Sequence, residues 1–225
     1  MTRVVAVSGS PKMDRGNTER ILRPFLEGTR EGGAEVEVFY AKKLDIQPCR
    51  GELLCWGRNL GKCHIKDDMQ KVYPALRRAD IMVLATPVYI PLPGEMQNFL
   101  NRLVPLMNPL LARKNGRTRA RFHSDVRIKK IVLVSSSGWW EKENLGTVLR
   151  IAKELAKDCN VEFAGALLRP HSSLLAKKNP KVDRVLAAAR DSGRELVSNG
   201  KIPRKLLDLV AEPLISEEDM WKSYE

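Results

Sequence analysis

The chain has 225 residues, of which 43% are hydrophobic and 29% are charged, and its formal net charge is +12. This composition is typical of a soluble globular protein, and no apolar run is long enough to cross a membrane. We therefore expect a single domain over residues 1–225. Because no secretory signal pattern is present at the N-terminus, we also expect a cytoplasmic protein.

Short apolar runs alternate with amphipathic segments, and this pattern predicts an α/β fold with a doubly wound parallel sheet and helices on both faces. Residues 81–85 and 131–134 are almost entirely apolar, as expected for central strands that are buried on both sides. In chain order, the predicted strands are 4–7, 36–40, 81–85, 131–134 and 161–168, and the predicted helices are 18–31, 69–78, 94–107, 145–158, 182–197 and 203–210.

The loop after the first strand, residues 8–18 (the first loop), has the composition of a phosphate-binding turn. Backbone N–H groups at a helix N-terminus and neutral hydroxyls donate well to phosphate oxygens. The loop lacks both the Gly-Lys-Ser/Thr ending of ATP-binding loops and the Gly-x-Gly-x-x-Gly dinucleotide fingerprint, so it suits a phosphate monoester such as that of FMN. The alternative is an ordinary strand–loop–helix turn with a Ser or Asn cap.

Two more polar loops follow strands of the predicted sheet. Residues 86–90 (the second loop) follow the third strand, and residues 135–140 (the third loop) follow the fourth. In a sheet of order 2-1-3-4-5, the first, third and fourth strands are neighbours. Ligands of such sheets bind beyond the carboxyl ends of the strands, so the three loops would form one crevice.

The cysteines favour chemistry over disulfide bonding. Cys49, Cys55 and Cys63 lie close together in an irregular stretch at about residues 42–66 (the cysteine segment), whereas Cys159 lies in a helical pattern. Clustered thiols in a chain without an export signal indicate metal or redox chemistry. We expect Cys159 to be a small core residue.

Much of the positive charge lies in a basic excursion at about residues 109–130, which has eight lysines and arginines between Arg113 and Lys130. One interpretation is a nucleic-acid-binding patch. The other is a solvated excursion that also attracts anionic cofactors. Because no nucleic-acid motif is present, we favour the second interpretation and do not expect nucleic acid as a partner.

Three motifs resemble the NADPH-dependent FMN reductase and iron–sulfur flavoprotein families. Residues 8–12 and 16–18 resemble their FMN phosphate loop, residues 63–69 resemble their Cys-x-x-x-Asp-Asp-Met segment, and residues 85–89 resemble the loop along the flavin ring. The resemblance covers about residues 3–138. It implies a flavodoxin-like three-layer sandwich, bound FMN, a homodimer or homotetramer, and two-electron chemistry with NAD(P)H or electron relay through an iron–sulfur cluster.

The resemblance also implies which residues bind the cofactor. No catalytic side chain is expected, because FMN itself accepts the hydride. The phosphate would be held by Ser10, Lys12, Asn17 and Thr18, with Ser8, Pro11 and Gly16 in the same loop; the ring would be flanked by Pro87, Val88, Tyr89 and Ile90; and Ser136, Ser137, Gly138 and Trp139 would form a third wall.

The cysteine segment departs from the family pattern. Iron–sulfur flavoproteins have a Cys-x2-Cys-x2-Cys motif, and this chain has Glu52 where the second cysteine is expected. A carboxylate is a poor substitute for a soft thiolate, and a four-iron cluster normally takes four thiolates, so Glu52 argues against such a cluster. The remaining candidates, Cys49, Cys55 and Cys63, could hold a three-iron or labile cluster. The alternative is a degenerate loop whose thiols are packed or weakly reactive.

The roles of several side chains have two possible interpretations from the sequence. Asp67 and Asp68 are interpreted as a helix N-cap in preference to a catalytic pair. Tyr89 is expected on the flavin ring rather than as an ordinary loop aromatic. The tryptophans of the third loop would cover the flavin or pack in a subunit contact, and the 221–224 segment would dock on a partner subunit or be loose.

Together these observations predict an FMN-dependent NAD(P)H oxidoreductase that reduces flavin, quinone or another small acceptor. The alternative is an electron-transfer protein, with or without a cluster, whose FMN exchanges electrons with a ferredoxin-like partner. A third hypothesis, a nucleic-acid or regulatory role, depends on the basic excursion alone.

Overall fold

The computed structural model describes residues 1–222, so Tyr224 of the C-terminal segment lies outside the described residues. Five parallel strands form the main sheet, in the order β2-β1-β3-β6-β7. This order is the predicted 2-1-3-4-5 arrangement. The strands are β1 (Arg3–Ser8), β2 (Glu35–Tyr40), β3 (Ile81–Pro87), β6 (Lys130–Ser136) and β7 (Glu162–Arg169), and β4 (Ala112–Lys114) pairs with β5 (Arg117–Arg119) in a separate hairpin.

Alternate strand residues bury opposite faces of the sheet, as the side-chain period of two requires. One core packs α2, α3 and α4 against Val5, Met82 and Leu133, and the other packs α1 and α5 against Val4, Val83 and Val132. The helices are α1 (Asn17–Glu31), α2 (Met69–Arg78), α3 (Gly94–Asn101), α4 (Gly146–Asp158), α5 (Pro180–Asn199), α6 (Arg204–Ala211) and α7 (Glu217–Lys222).

Helices α1 and α5 cross at unusually close range. A Cβ atom added at Gly28 would overlap the carbonyl oxygen of Arg190, and one added at Gly193 would overlap the carbonyl oxygen of Phe25. The two glycines therefore let the backbones of the first and fifth helices pack directly against each other.

The predicted helix 94–107 was too long. Helix α3 ends at Asn101, and residues 104–106 form a separate 3₁₀ turn. Pro105 favours this break, because proline has no N–H to donate back to the carbonyl of Asn101, four residues earlier. The β4–β5 hairpin in the basic excursion was not predicted, although Asn115 and Gly116 at its turn are the residue pair that two-residue hairpin turns prefer.

None of the described helices combines the length and the apolar composition that crossing a bilayer requires.

Candidate functional site

The first, second and third loops meet at the carboxyl edge of the sheet. Strand pairing places Ser8 opposite Ala85 and Pro87 opposite Ser136. Beyond the paired residues, the N–H of Gly9 donates to Ala85 over 2.8 Å, and the N–H of Val88 donates to Ser136 over 2.8 Å. The loops after β1, β3 and β6 are thus held side by side by backbone hydrogen bonds.

A direct side-chain contact joins the first loop to the third. The hydroxyls of Thr18 and Ser136 lie 2.8 Å apart, and the two residues are 1% and 2% exposed. Thr18 is in the first turn of α1 and Ser136 is the last residue of β6. Two positions that the sequence assigned to different walls of one crevice are therefore in contact.

The N-terminus of α1 is left open to an anion. Gly16 is the N-cap residue in extended conformation, and among the described residues no side chain caps the helix. The expected alternative of a Ser- or Asn-capped turn is therefore not what this loop forms. A Cβ at Gly16 would overlap the Ser10 hydroxyl, so a larger residue here would force the Ser10 side chain to move. The uncapped N–H groups and the helix dipole together favour a negative ligand.

The other first-loop residues differ in exposure. Ser8 is buried, and its hydroxyl has no hydrogen-bond partner within residues 1–222. Lys12 is exposed, and Pro11 and Asn17 are partly exposed. A buried hydroxyl without a partner is costly, so this loop has donor capacity that the protein itself leaves unused. The available donors fit a phosphate group.

Large apolar side chains stand exposed around the crevice. Tyr89 is 54% exposed, Ile90 is fully exposed, and Trp139 is 68% exposed, whereas Pro87 and Val88 are partly buried. Exposed aromatic and aliphatic groups grouped around a polar crevice are typical of a surface that a planar apolar ligand covers. The rim therefore fits a flavin ring.

The third loop is anchored from the β7 side. The carbonyl of Ser137 accepts hydrogen bonds from both the N–H and the hydroxyl of Ser172, each over 2.9 Å. The Ser137 hydroxyl donates to the carbonyl of Trp139, and Gly138 between them is exposed. The third wall of the crevice is thus fixed by the segment that follows β7.

A buried carboxyl group lies next to the first loop. Burial raises the pKa of Glu19, while the charge of Arg23 and a hydrogen bond from the Tyr40 hydroxyl lower it in part. Its Oε2 atom has no partner in the part of the chain that the structure describes. Glu19 was not among the predicted site residues, because a carboxylate in the first turn of a helix is ordinarily solvated.

The sequence matches the model of a known protein family. The model of the NADPH-dependent FMN reductase family matches residues 2–139, which is more than half of the chain. The chain belongs to the NADPH-dependent FMN reductase family. The resemblance seen in the sequence motifs is thereby confirmed, and the family is one of flavin-dependent oxidoreductases.

Curated relatives of this family member include proteins named iron–sulfur flavoprotein. The relative from Methanosarcina thermophila is 32% identical over 114 residues, which cover 50% of this chain and 58% of the relative. One from Methanocaldococcus jannaschii is 32% identical over 108 residues, covering 48% of this chain and 53% of the relative. The chain thus matches only about half the length of these curated relatives.

Solved structures of low identity share the fold. A NAD(P)H:quinone oxidoreductase from Methanothermobacter marburgensis is 18% identical, with a TM-score of 0.61, and the match covers 87% of this chain and 96% of that one. An FMN-dependent NADH-azoreductase from Bacillus anthracis, solved in complex with FMN, is 14% identical, with a TM-score of 0.58 and coverage of 88% and 99%. These neighbours support the flavodoxin-like fold that the family resemblance implied.

The cysteine segment does not present four thiolates. Cys49 is exposed, and Cys55 and Cys63 are partly exposed. The Glu52 carboxylate, at the position where the family motif has its second cysteine, lies 2.9 Å from Nδ1 of His64. Among residues 1–222, no group of three or more His, Cys, Asp or Glu side chains is arranged to hold a metal ion. The donor set therefore does not fit a four-thiolate cluster.

The electrostatics of the thiols follow from their surroundings. Burial raises the pKa of Cys55, and the neighbouring Cys63, Cys49 and Glu52 raise it further. Burial also raises the pKa of Cys159, which is 1% exposed and packs in the core as expected. These environments favour protonated thiols at both positions.

The two aspartates of the family motif anchor the cysteine segment. Asp67 accepts hydrogen bonds from the N–H groups of Gln47 and Met69, and Asp68 accepts one from the N–H of Asp45. Only the bond to Met69 resembles the predicted helix cap. Burial opposes ionisation of Asp67, but hydrogen bonds from Arg102, Gln47 and Met69 lower its pKa overall.

The β4–β5 hairpin of the basic excursion is exposed and pairs with α4. Arg119 forms ion pairs with Glu154 and Asp158 of that helix. Carboxylates of the protein itself therefore neutralise part of the positive charge of the basic excursion.

Proposed function

We propose that this protein binds FMN in the crevice between the three loops and transfers electrons from NADH or NADPH to a small acceptor, such as free flavin or a quinone. The observation that carries the proposal is the contact between Thr18 and Ser136, which joins the first loop to the third loop. Family membership supports it, as do neighbours described as a quinone oxidoreductase and as an azoreductase in complex with FMN.

The chain's own residues would bind and orient the cofactor. The open N-terminus of α1, with Ser10 and Lys12, would hold the phosphate, and the unpartnered hydroxyl of Ser8 would find an acceptor nearby. Tyr89 and Trp139 would cover the ring and exclude water from it. When bound, FMN supplies the hydride-accepting chemistry.

The test of the proposal is a flavin titration followed by reduction. The protein is freed of flavin and titrated with FMN and with riboflavin, which lacks the phosphate, while flavin fluorescence is recorded. We expect FMN to bind at least about tenfold more tightly, because charge-assisted hydrogen bonds to the phosphate exist only for FMN. NADH or NADPH should then bleach the bound flavin under anaerobic conditions. A protein that takes up no FMN would contradict the proposal.

A second candidate is electron exchange with a ferredoxin-like protein partner. The exposed apolar rim of Tyr89, Ile90 and Trp139 favours it, because such a surface also suits a protein contact. The relatives named iron–sulfur flavoprotein add support. Bound FMN that neither pyridine nucleotide reduces, but that a reduced ferredoxin reduces readily, would favour this candidate over the first. In either case we expect a homodimer or homotetramer, which light scattering would measure.

A further inference from the structure

A groove lined mainly by cations (the basic groove) lies between the β4–β5 hairpin and helix α4. Its volume is about 920 Å³. No residue of the first, second or third loop lines it, so the basic groove is separate from the flavin crevice. Two carboxylates and six lysine and arginine side chains line it, and the six are Lys114, Arg117, Arg119, Arg150, Lys153 and Lys157.

The first row of these cations belongs to the hairpin. Lys114 is directly opposite Arg117 in the strand pairing, and Arg119 follows Arg117 two positions later on β5. Because side chains alternate between the two faces of a strand, these three share one face of the hairpin. Arg113 and Thr118 belong to the opposite face and do not line the groove. The hairpin thus presents one cationic face to α4.

The second row belongs to α4. Arg150, Lys153 and Lys157 are exposed and occupy one face of this helix, because they are three and four positions apart. With a rise of about 1.5 Å per residue, this row is about 10 Å long. An ion pair of 3.2 Å between Arg119 and Glu154 holds the hairpin against the helix. Two rows of positive charge are therefore held on opposite sides of one groove.

Most of this charge has no counter-ion among the described residues. Glu154 is already shared by Arg119 and Lys157, and Glu162, the other lining carboxylate, is paired with Lys130 over 2.5 Å. A cleft lined by charges of one sign concentrates their field and attracts ions of the opposite sign. The groove cations that form no ion pair with a carboxylate within residues 1–222 are Lys114, Arg117, Arg150 and Lys153.

The neutral lining favours a peptide over other polyanions. None of the lining residues is aromatic, so the groove offers no platform on which nucleic-acid bases would stack. Leu149 and Val161 contribute apolar surface, which an inorganic polyanion would leave uncovered. The side-chain amide of Asn115 also lines the groove and has both a donor and an acceptor for a peptide backbone. Asn160 lines it too, and its side-chain oxygen accepts a hydrogen bond from Lys114 over 2.6 Å.

We propose that the basic groove binds an extended acidic segment of a partner protein. Successive side chains of an extended chain point in opposite directions, so consecutive carboxylates reach the hairpin row and the α4 row alternately. Guanidinium groups form charge-assisted hydrogen bonds with such carboxylates. With a rise of roughly 3.3 Å per residue, about four residues of the segment cover the α4 row. The segment binds away from the flavin crevice, so its binding does not depend on FMN.

The binding test uses synthetic polyanions and the full-length protein. Capped hexaglutamate, capped hexaglutamine, tripolyphosphate and a six-nucleotide oligothymidylate are titrated by calorimetry at about 0.15 M ionic strength, with and without saturating FMN. We expect hexaglutamate to bind at least about tenfold more tightly than hexaglutamine, because only the acid engages the cations. It should bind at least about threefold more tightly than tripolyphosphate or oligothymidylate, because these lack a peptide backbone. FMN should leave hexaglutamate binding unchanged.

Two double substitutions locate the site, and all four side chains are exposed, so neither variant should disturb the fold. Arg117→Gln with Arg150→Gln removes one unpaired cation from each row and should weaken hexaglutamate binding by about tenfold. Lys178→Gln with Lys201→Gln is the matched control, because it lowers the net charge equally at two lysines that do not line the groove. Its affinity for hexaglutamate should change by less than about twofold.

Five results would overturn the proposal. Hexaglutamate that fails to bind, or that binds both double variants equally well, would show that the groove does not recognise it. Tripolyphosphate binding as tight as that of hexaglutamate would indicate a general anion site. Tighter binding of oligothymidylate that is lost in Arg117→Gln with Arg150→Gln would indicate a nucleic-acid site. Loss of hexaglutamate binding in saturating FMN would place the acidic segment in the flavin crevice.

Discussion

Asp67 and Arg102 form an ion pair in which Oδ2 and Nη1 lie 2.6 Å apart, and both side chains are almost completely buried. A second bond of 3.0 Å joins Oδ1 to Nη2, and Nη1 also donates to the carbonyl of Gln47 over 2.7 Å. The pair therefore ties the start of the cysteine segment to the beginning of α2 and the end of α3.

Breaking this pair should destabilise the protein strongly. Asp67→Asn leaves Arg102 buried without a counter-ion, so we expect a loss of about 3–5 kcal/mol in the free energy of unfolding. Lys71→Gln, which removes only the exposed partner of Asp68, should leave the free energy of unfolding almost unchanged. Urea denaturation followed by circular dichroism measures both. A loss below about 1 kcal/mol for Asp67→Asn would show that the pair is dispensable.

The same pair sets a pH dependence. Because the folded-state pKa of Asp67 lies below its unfolded value, its contribution is complete above the unfolded pKa and is lost as the pH falls through the folded pKa. The difference in stability between the wild type and Asp67→Asn should therefore shrink in acid. A difference that stays constant down to the acid unfolding transition would contradict this.

Glu19 should show the opposite dependence. Its folded-state pKa is raised mainly by burial, so the folded protein binds the proton more tightly and stability is lost as the pH rises through that pKa. Glu19→Gln should therefore be more stable than the wild type at neutral pH, by about 1 kcal/mol, and equally stable in acid. Glu27→Gln, at an exposed position of the same helix, is the control. Thermal melts across this pH range decide the matter; a less stable Glu19→Gln protein at neutral pH would refute the prediction.

The close crossing of α1 and α5 predicts that Gly28→Ala is poorly tolerated. The added methyl group would overlap the backbone carbonyl of Arg190, which cannot move as a flexible side chain could. We expect a loss of about 2–3 kcal/mol, typical of overpacking. At Gly146, in α4, an added Cβ meets none of the described atoms within 4 Å, so Gly146→Ala should be neutral or slightly stabilising. Similar denaturation midpoints for the two variants would show that α1 can shift away.

Thr18→Val tests the contact between the first and third loops. The substitution keeps the shape of the side chain but leaves the Ser136 hydroxyl buried without its partner, so we expect a loss of about 1 kcal/mol in stability. FMN affinity should also fall by about fivefold, because the N-terminus of α1 loses its link to the third loop. Thr147→Val, at an exposed position of α4, should alter neither quantity. Unchanged FMN affinity in Thr18→Val would separate this contact from the cofactor site.

Glu52→Cys should restore a cluster site. The wild-type protein, reconstituted anaerobically with iron and sulfide, should retain little of either, because three thiols and a carboxylate are a poor donor set. The Glu52→Cys protein should retain about four iron atoms per chain. Glu37→Cys, with the new thiol on the edge strand β2, serves as the control. Equal iron contents in the wild type and Glu52→Cys would show that the residue at position 52 does not determine whether a cluster binds.

Local patterns predicted the strands and the positions of the three loops, because buried parallel strands and loops rich in small polar residues have strong sequence signals. The sheet order came from the doubly wound fold class and the family resemblance. The burial of charged side chains by distant parts of the chain had no such signal. Arg102 lies in an amphipathic run and Arg169 is the last residue of strand β7, and nothing local shows that either side chain is buried. The break before Pro105 had a local signal, but the helical pattern over residues 94–107 outweighed it. The turn at Asn115 and Gly116 also had one, but the high positive charge of the basic excursion drew the interpretation away from a hairpin. Whether the loop residues bind FMN stays a prediction.

The close packing of α1 against α5, which Gly28 and Gly193 permit, has a consequence for the synthesis of the chain on the ribosome. Helix α1 is synthesised well before α5, which begins at Pro180, and it is α5 that packs on the face carrying Gly28. Until then the apolar residues of α1, among them Phe25, lack part of their covering and are open to chaperones or to other nascent chains. The core on this side of the sheet is therefore completed only after α5 has been synthesised.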